Sequence, residues 1–246
     1  MTITFNPKKI VIFLGVIIIC LIAANMFGMV SKYYFGSHRI ALFDLDKEAN
    51  VPTLYSSVTI LLCAGLLAVI AIARKKQGKR DYLYWAGLAA IFVFLSVDET
   101  AALHENIIRP LRTALHTSGV LYFAWVIPYG IFAIVLLLIY LRFLFSLNPR
   151  IRYLIIFSGI IYVTGALGGE LVGGYWLGLH GQENMTYEVI TTFEESLEMI
   201  GILVFIYTLM SYITSDLSDL FFHIGLIAQD TYSKTGPEEL VTQEGM

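Results

Sequence analysis

Charge is what this 246-residue sequence has least of. Asp, Glu, Lys and Arg make up 14% of it, where a soluble domain carries about a quarter. With 57% of its residues apolar, the chain does not have the composition of an ordinary water-soluble fold. Cysteine is nearly absent as well. Cys20 and Cys63 each fall in the middle of an apolar run, where they read as buried small apolar residues and speak for neither a disulfide nor a compartment. No internal repeat, nucleotide-binding loop, soluble catalytic domain or basic nucleic-acid patch is present. The formal net charge of -3 identifies no partner, because the placement of the charges matters more than their sum.

The charges that exist are clustered and leave long windows free. Residues 10–30, 53–73 and 120–141 contain none, and each window is long enough to cross ~30 Å of hydrocarbon as a helix. Residues 82–97, 153–169 and 199–215 are also uncharged, and reach spanning length once the neighbouring acids are counted inside. The pattern predicts an all-α polytopic membrane helix bundle. Its six transmembrane helices fall at about 10–30, 53–73, 82–108, 120–142, 152–174 and 188–214. An interfacial amphipathic helix follows over 216–230, and a flexible acidic tail over 231–246. The first run, after Pro7-Lys8-Lys9, is too long for a signal-peptide core and lacks a small-x-small cleavage site, so it is expected to stay as a helix.

Basic residues orient the bundle. Lys8, Lys9, Arg74, Lys75, Lys76, Lys79, Arg80, Arg142, Arg150, Arg152 and Lys234 fall on one side, and Lys32, Arg39, Lys47, Arg109 and Arg112 on the other. The positive-inside rule then places both termini in the cytoplasm. Pro110 is expected to end the third helix near Arg109. Pro128 either kinks the fourth or is simply tolerated there. Gly165, Gly169 and Gly173 recur every four residues, a stripe that allows close helix packing in lipid.

Against this background the acids stand out. Ser96-Val97-Asp98-Glu99-Thr100-Ala101-Ala102-Leu103-His104-Glu105 closes the third apolar run, Glu170 interrupts the fifth, and Glu194, Glu195 and Glu198 lie near the start of the sixth. A helix starting at Tyr82 carries Asp98 about 24 Å along its axis. The fifth helix runs the same way and the sixth the opposite way, so all three bring their acids to one level, on the outward side. At ~100° per residue Asp98, Ala102, Glu105 and Arg109 share a face, with His104 and Glu99 to either side of it. Glu183, Glu188 and Glu99 read instead as solvated helix caps. His38, His116, His180 and His223 read as interfacial residues rather than ligands.

Ionised acids in hydrocarbon cost ~2.5–3.5 kcal/mol each on insertion scales, so they face an interior and need partners. Only Arg109 and Arg112 lie near enough to offset them. The remaining acids must share protons or bind a cation. One reading is a metal site of Asp98, His104, Glu105, Glu170, Glu194 and Glu198, with Glu99, Glu195 and Ser96 as secondary candidates. Hard carboxylates with one imidazole suit zinc, iron or manganese. A metal-bound water there would act on a lipid or small molecule. No residue declares itself catalytic. The Glu-x-x-His spacing of four-helix di-iron proteins is missing, since Glu99 and His104 are five apart. Alkaline-ceramidase-like membrane hydrolases use a serine, an aspartate and several histidines. Ser96, Asp98 and His104 resemble part of that set, without its paired late histidines. A second reading is proton or cation handling, as in a transporter or sensor. A third is a non-catalytic membrane assembly partner clamped by its acids.

Three stretches carry a closer resemblance. They are Asn50-Val51-Pro52-Thr53-Leu54-Tyr55-Ser56-Ser57, Phe94-Leu95-Ser96-Val97-Asp98-Glu99 with His104-Glu105, and Glu194-Glu195 with Glu198. Together they are similar to an uncharacterised family of multi-pass bacterial membrane proteins with an FLSxDExxxxHE-type motif. The resemblance covers roughly helices 2 to 6. It implies the same architecture in the bacterial inner membrane, and carries no assigned reaction.

Overall fold

The computed structural model describes residues 6–36, 41–181 and 184–217. The expected interfacial helix from residue 218 onward, the acidic tail, Glu183, His38 and His223 lie outside the described residues. Among those described there is helix and no strand. The helices are α1 (Pro7–Phe35), α2 (Val51–Lys76), α3 (Tyr82–Ala101), α4 (Leu103–Leu115), α5 (Val126–Ser146), α6 (Pro149–Val163), α7 (Glu170–His180) and α8 (Met185–Asp216). A π-helical turn, Thr164–Gly169, joins α6 to α7. α1, α2, α3, α5, the continuous α6–α7 stretch Pro149–His180 and α8 are each long and apolar enough to cross a membrane.

Four of these spans begin with the same local device. Asn6, Asn50, Asn148 and Asn184 each turn a side-chain oxygen onto backbone N–H groups of the first turn. Pro7, Pro52 and Pro149 occupy first-turn positions, where a missing N–H costs nothing. Pro128 also falls in the first turn of its helix, so it need not bend α5. Pro110 departs from expectation: it lies inside α4, which continues to Leu115. Pro110 and Asn106, whose carbonyl its ring leaves without a partner, are both exposed, so the interruption is tolerated there.

α2 and α8 form the centre. About half of each is buried (56% and 50%), against 11–17% for the other spans, while Leu54, Val58, Leu61 and Ile72 leave one face of α2 exposed. α2 lies along α3, and α8 touches α1, α2, α6 and α7. At the end bearing Lys8, Arg74 and Arg150, the core is built on Leu67, Ile70, Trp85, Phe143, Ile206, Leu209 and Tyr212. Tyr84 stacks on Phe143 at 4.8 Å, and the Tyr140 hydroxyl donates to the Tyr84 carbonyl at 3.0 Å. These contacts pin α3 to α5 at this end. Arg74 and Asp81 close the short α2–α3 turn with paired hydrogen bonds of 3.1 and 2.9 Å.

Hydroxyls join α2 to α3 near the opposite end. The Ser57 hydroxyl lies 2.9 Å from the Ser96 carbonyl and 2.7 Å from the Thr100 hydroxyl, and the Ser96 hydroxyl donates to the Ser57 carbonyl at 2.9 Å. Asn25 of α1 donates to the Thr192 hydroxyl of α8 at 2.8 Å and accepts the Leu45 N–H at 3.1 Å, tying the α1–α2 connection down. Lys32 pairs with Glu188 at 2.7 Å, and Tyr33 donates to the same carboxylate at 3.1 Å. Glu188 is therefore no solvated cap: it is 4% exposed and fastens α1 to α8. The cysteines differ from expectation as well, since only Cys63 is buried and Cys20 lies on the exposed face of α1.

The small-residue stripe packs closely, and its partner is α8. A Cβ on Gly165 would stand 2.9 Å from the Glu194 carbonyl oxygen and from Glu198 Cγ, and one on Gly169 would stand 2.6–2.8 Å from the Glu194 side chain. On α8, a Cβ on Gly201 would stand 2.8 Å from the Tyr162 backbone nitrogen. Gly201→Ala is therefore expected to force α6 from α8 and to destabilise by about 1–3 kcal/mol, the usual overpacking penalty. Gly15→Ala meets only ordinary contact at 3.5 Å, and should hold or raise stability through helix propensity. Thermal unfolding of the two variants in detergent checks the contrast.

Candidate functional site

The α1–α2 connection contributes an acid that sequence reasoning passed over as part of an external loop. Asn50 caps α2 by accepting the Thr53 N–H at 3.1 Å, and its amide donates back to the carbonyls of Asp44 at 2.6 Å and Lys47 at 2.7 Å. One side chain thus starts a helix and braces the loop before it. Ala49 is held there at φ 58°. The braced loop turns Glu48 toward the end of α3.

At that end the chain does not run through as one helix. Ala102 adopts φ 49°, a left-handed conformation, and divides α3 from α4. The expected shared face of Asp98, Glu105 and Arg109 is lost at this break. What replaces it is a direct contact: the Asp98 carboxylate accepts the His104 N–H at 2.9 Å and lies 3.3 Å from His104 Nδ1. Asp98 thereby does for α4 what a capping residue does, from the preceding helix. His104 also packs on the Trp125 ring, with centroids 4.8 Å apart. Left-handed alanine is strained by about 1–2 kcal/mol, and two of the three described non-glycine residues in that region, Ala49 and Ala102, flank this site.

Glu48, His104 and Glu105 each present a ligand atom, and these atoms lie within 4.8 Å of one another. Glu48 is half-buried, and burial first, then the charge of Glu105, pushes its carboxyl above the ordinary range. Burial by itself would lower the His104 pKa. The hydrogen bond to Asp98 and the charges of Asp98, Glu48 and Glu105 outweigh it and hold the imidazole above its usual range.

This trio stands at the mouth of a cavity of about 310 Å³. Asp98, Glu99, Glu170, Glu194, Glu195 and Glu198 line it too, so the acids of three spans reach one chamber. Glu99 faces that chamber and is no solvated cap. Glu170 accepts from Trp125 Nε1 at 2.9 Å, linking α7 to α5. The glycines of the π-helical turn make the space into which Glu194 and Glu198 fit. No lysine or arginine is among the described residues lining the chamber. Arg112 instead stacks over Tyr122 at 3.7 Å, and Arg109 is exposed. Asp98, Glu170, Glu194 and Glu198 share the chamber but stand outside the trio, while Ser96 lies in the α2–α3 hydroxyl seam. His116 ends α4, and His180 stacks on Trp176 at 4.0 Å, both exposed. The one hint of Glu48 in the sequence was its place two residues before Asn50.

Six apolar helices, four of whose spans line an acidic chamber, define a polytopic membrane protein. Residues 10–213 match the family described as a domain of unknown function, DUF8692, and the chain belongs to that family. No curated protein and no solved structure matches it.

Two variants separate strain from support at the α3–α4 break. Ala102→Gly should stabilise the fold by about 1 kcal/mol by relieving the left-handed alanine. Asp98→Ala should destabilise it by about 0.5–2 kcal/mol, the range for a lost cap. Denaturation midpoints in detergent report both.

Proposed function

We propose that this protein is a membrane-embedded divalent-cation site acting on a membrane-borne substrate, with Glu48, His104 and Glu105 as the protein ligands. One observation carries the reading: three ligand atoms of the right chemistry converge at the mouth of an acidic chamber. Asp98 takes His104 Nδ1, which leaves Nε2 for the ion and raises the basicity of the ring. The ligand atoms lie within 4.8 Å of one another, compatible with the ~3–4 Å spacing around one ion with bonds of ~2.1 Å. Glu105 is the exposed member and has room to adjust onto an ion. Two carboxylates and one imidazole suit manganese, iron or zinc. Such an ion supplies a Lewis acid or an activated water, and Glu99, Glu170 and Glu194 are placed to hold and move protons beside it. By the positive-inside rule the mouth faces outward and both termini lie in the cytoplasm. The resemblance to bacterial multi-pass proteins makes the inner membrane the expected location.

Cation or proton passage is a weaker reading. Residues 82–97, 126–141 and 199–215 carry no charge, so no acids continue from the chamber toward the basic end on α3, α5 or α8. A non-catalytic clamp accounts for buried acids but not for the convergence of the trio.

Elemental analysis of the detergent-purified protein, after incubation with manganese, iron or zinc and desalting, tests the proposal. About one ion per chain is expected in the wild type and in Glu198→Gln, with loss of the ion in Glu48→Gln and His104→Ala. Equal ion content in wild type and the two trio variants would sink the idea, as would no ion in any of them.

The pH dependence follows from His104. The ion competes with the imidazole proton, so affinity should rise with pH. The rise should centre above the ordinary imidazole value of ~6.5, because Asp98 and its acidic neighbours hold the His104 proton. Titrating the ion against pH checks this. Asp98→Asn should move the midpoint down.

A further inference from the structure

The ion at the mouth leaves most of the chamber unexplained. Farther in, Glu99, Glu170, Glu194, Glu195 and Glu198 face the same space. Glu194 is 8% exposed, and its carboxylate makes no hydrogen bond with any described residue. Trp125, Tyr129, Tyr162 and Tyr187 line the same region. Acids without a basic partner, walled by aromatic rings, are the recognition chemistry of an ammonium group.

Beyond the acids the chamber becomes apolar. Phe92 and Leu95 of α3, Phe132, Ala133 and Leu136 of α5, and Val163 of α6 form this part. α3 and α5 are pinned at the basic end by Tyr84, Trp85, Tyr140 and Phe143. Phe132 and Val163 are 46% and 41% exposed, so the cleft opens sideways where lipid chains lie. From Tyr129 to Leu136 it follows α5 for about 10 Å. An occupant that satisfies both halves has a cationic head and a hydrocarbon tail.

We propose that the chamber binds a long-chain membrane amphiphile with a protonated amine head. The head sits among Glu99, Glu194, Glu195 and Glu198, and the chain lies in the cleft between α3, α5 and α6. The amphiphile enters from the bilayer side without passing the mouth. This binding rests on the inner acids and the cleft, not on an ion at Glu48, His104 and Glu105. It deepens the reading above by naming a substrate class.

The test uses full-length protein in a neutral maltoside detergent and a long-chain primary amine carrying a diazirine midway along its chain. Probes with the same chain but a hydroxyl or sulfate head are compared, and labelled residues are mapped by mass spectrometry. The amine should label the cleft at Phe92, Phe132 and Leu136. The hydroxyl probe should label it about tenfold less, the scale of one charged hydrogen bond, and the sulfate probe less still. Ala133→Trp should abolish cleft labelling while leaving ion content unchanged. Glu194→Gln/Glu195→Gln should reduce the amine to the level of the hydroxyl probe. The head-group comparison is made on the wild type, so it holds even where a variant fails to fold.

Equal cleft labelling by the three probes overturns the proposal. So does amine labelling confined to the outward residues Ile134 and Leu138, which are 61% and 65% exposed. Repeating the wild-type experiment after chelation separates the two readings. Head-selective labelling that survives chelation supports the amphiphile site whether or not the protein binds an ion. Ion binding without head selectivity leaves the cation site standing and removes this one.

Discussion

An ionised carboxylate at the centre of a hydrocarbon layer costs ~2.5–3.5 kcal/mol on insertion scales, and this bundle gathers its acids into one chamber with no lysine or arginine among the described residues that line it. Much of the local architecture can be read as a response to that constraint. The acids lie together at one end of the spans, on faces turned inward. Gly165 and Gly169 leave the room that Glu194 and Glu198 occupy, and the π-helical turn sets those glycines opposite α8. Glu170 has an indole N–H as its donor, and Asp98 a histidine.

The chamber is assembled from elements of different rigidity. α2 and α8 are the most buried spans, and the acids of α8 sit on one of them. The α1–α2 loop is tied down by two asparagines in addition to its buried Leu45. Asn25 holds it from α1, and Asn50 holds it from the first turn of α2. Glu48 is thus positioned by amide hydrogen bonds together with the burial of Leu45 against Ile18, Leu21 and Met199. The break at Ala102 likewise trades about 1–2 kcal/mol of backbone strain for a geometry in which a histidine meets an aspartate six residues earlier. Strain retained at such positions is characteristic of sites rather than of scaffolds.

Polarity along the bundle axis links this chemistry to the membrane. One end is basic and closed by aromatic packing of Tyr84, Trp85 and Phe143. The other is acidic and open, both at its mouth and sideways between α3 and α5. The proposed amphiphile would reach the acids through this sideways opening.

Six spans, the gathering of Asp98, Glu170 and Glu194 around one space, and close packing at the glycine stripe were legible in the sequence. Each depends on distance along a helix axis or on periodicity, and these are properties of the chain taken one segment at a time. Other features were decided only by the tertiary structure. Glu48 reaches the site because Asn50 folds a loop back, a contact no periodic pattern encodes. His104 meets Asp98 because Ala102 turns left-handed, which a residue with a Cβ does only when its surroundings hold it there. Glu188 looked like a solvated cap until Lys32 and Tyr33, more than 150 residues away, closed over it. Composition and spacing pointed to acids of three spans meeting in one place, as they do in the chamber. Which residues stand together at the chamber mouth was decided by non-local hydrogen bonds that bend the backbone away from straight helices.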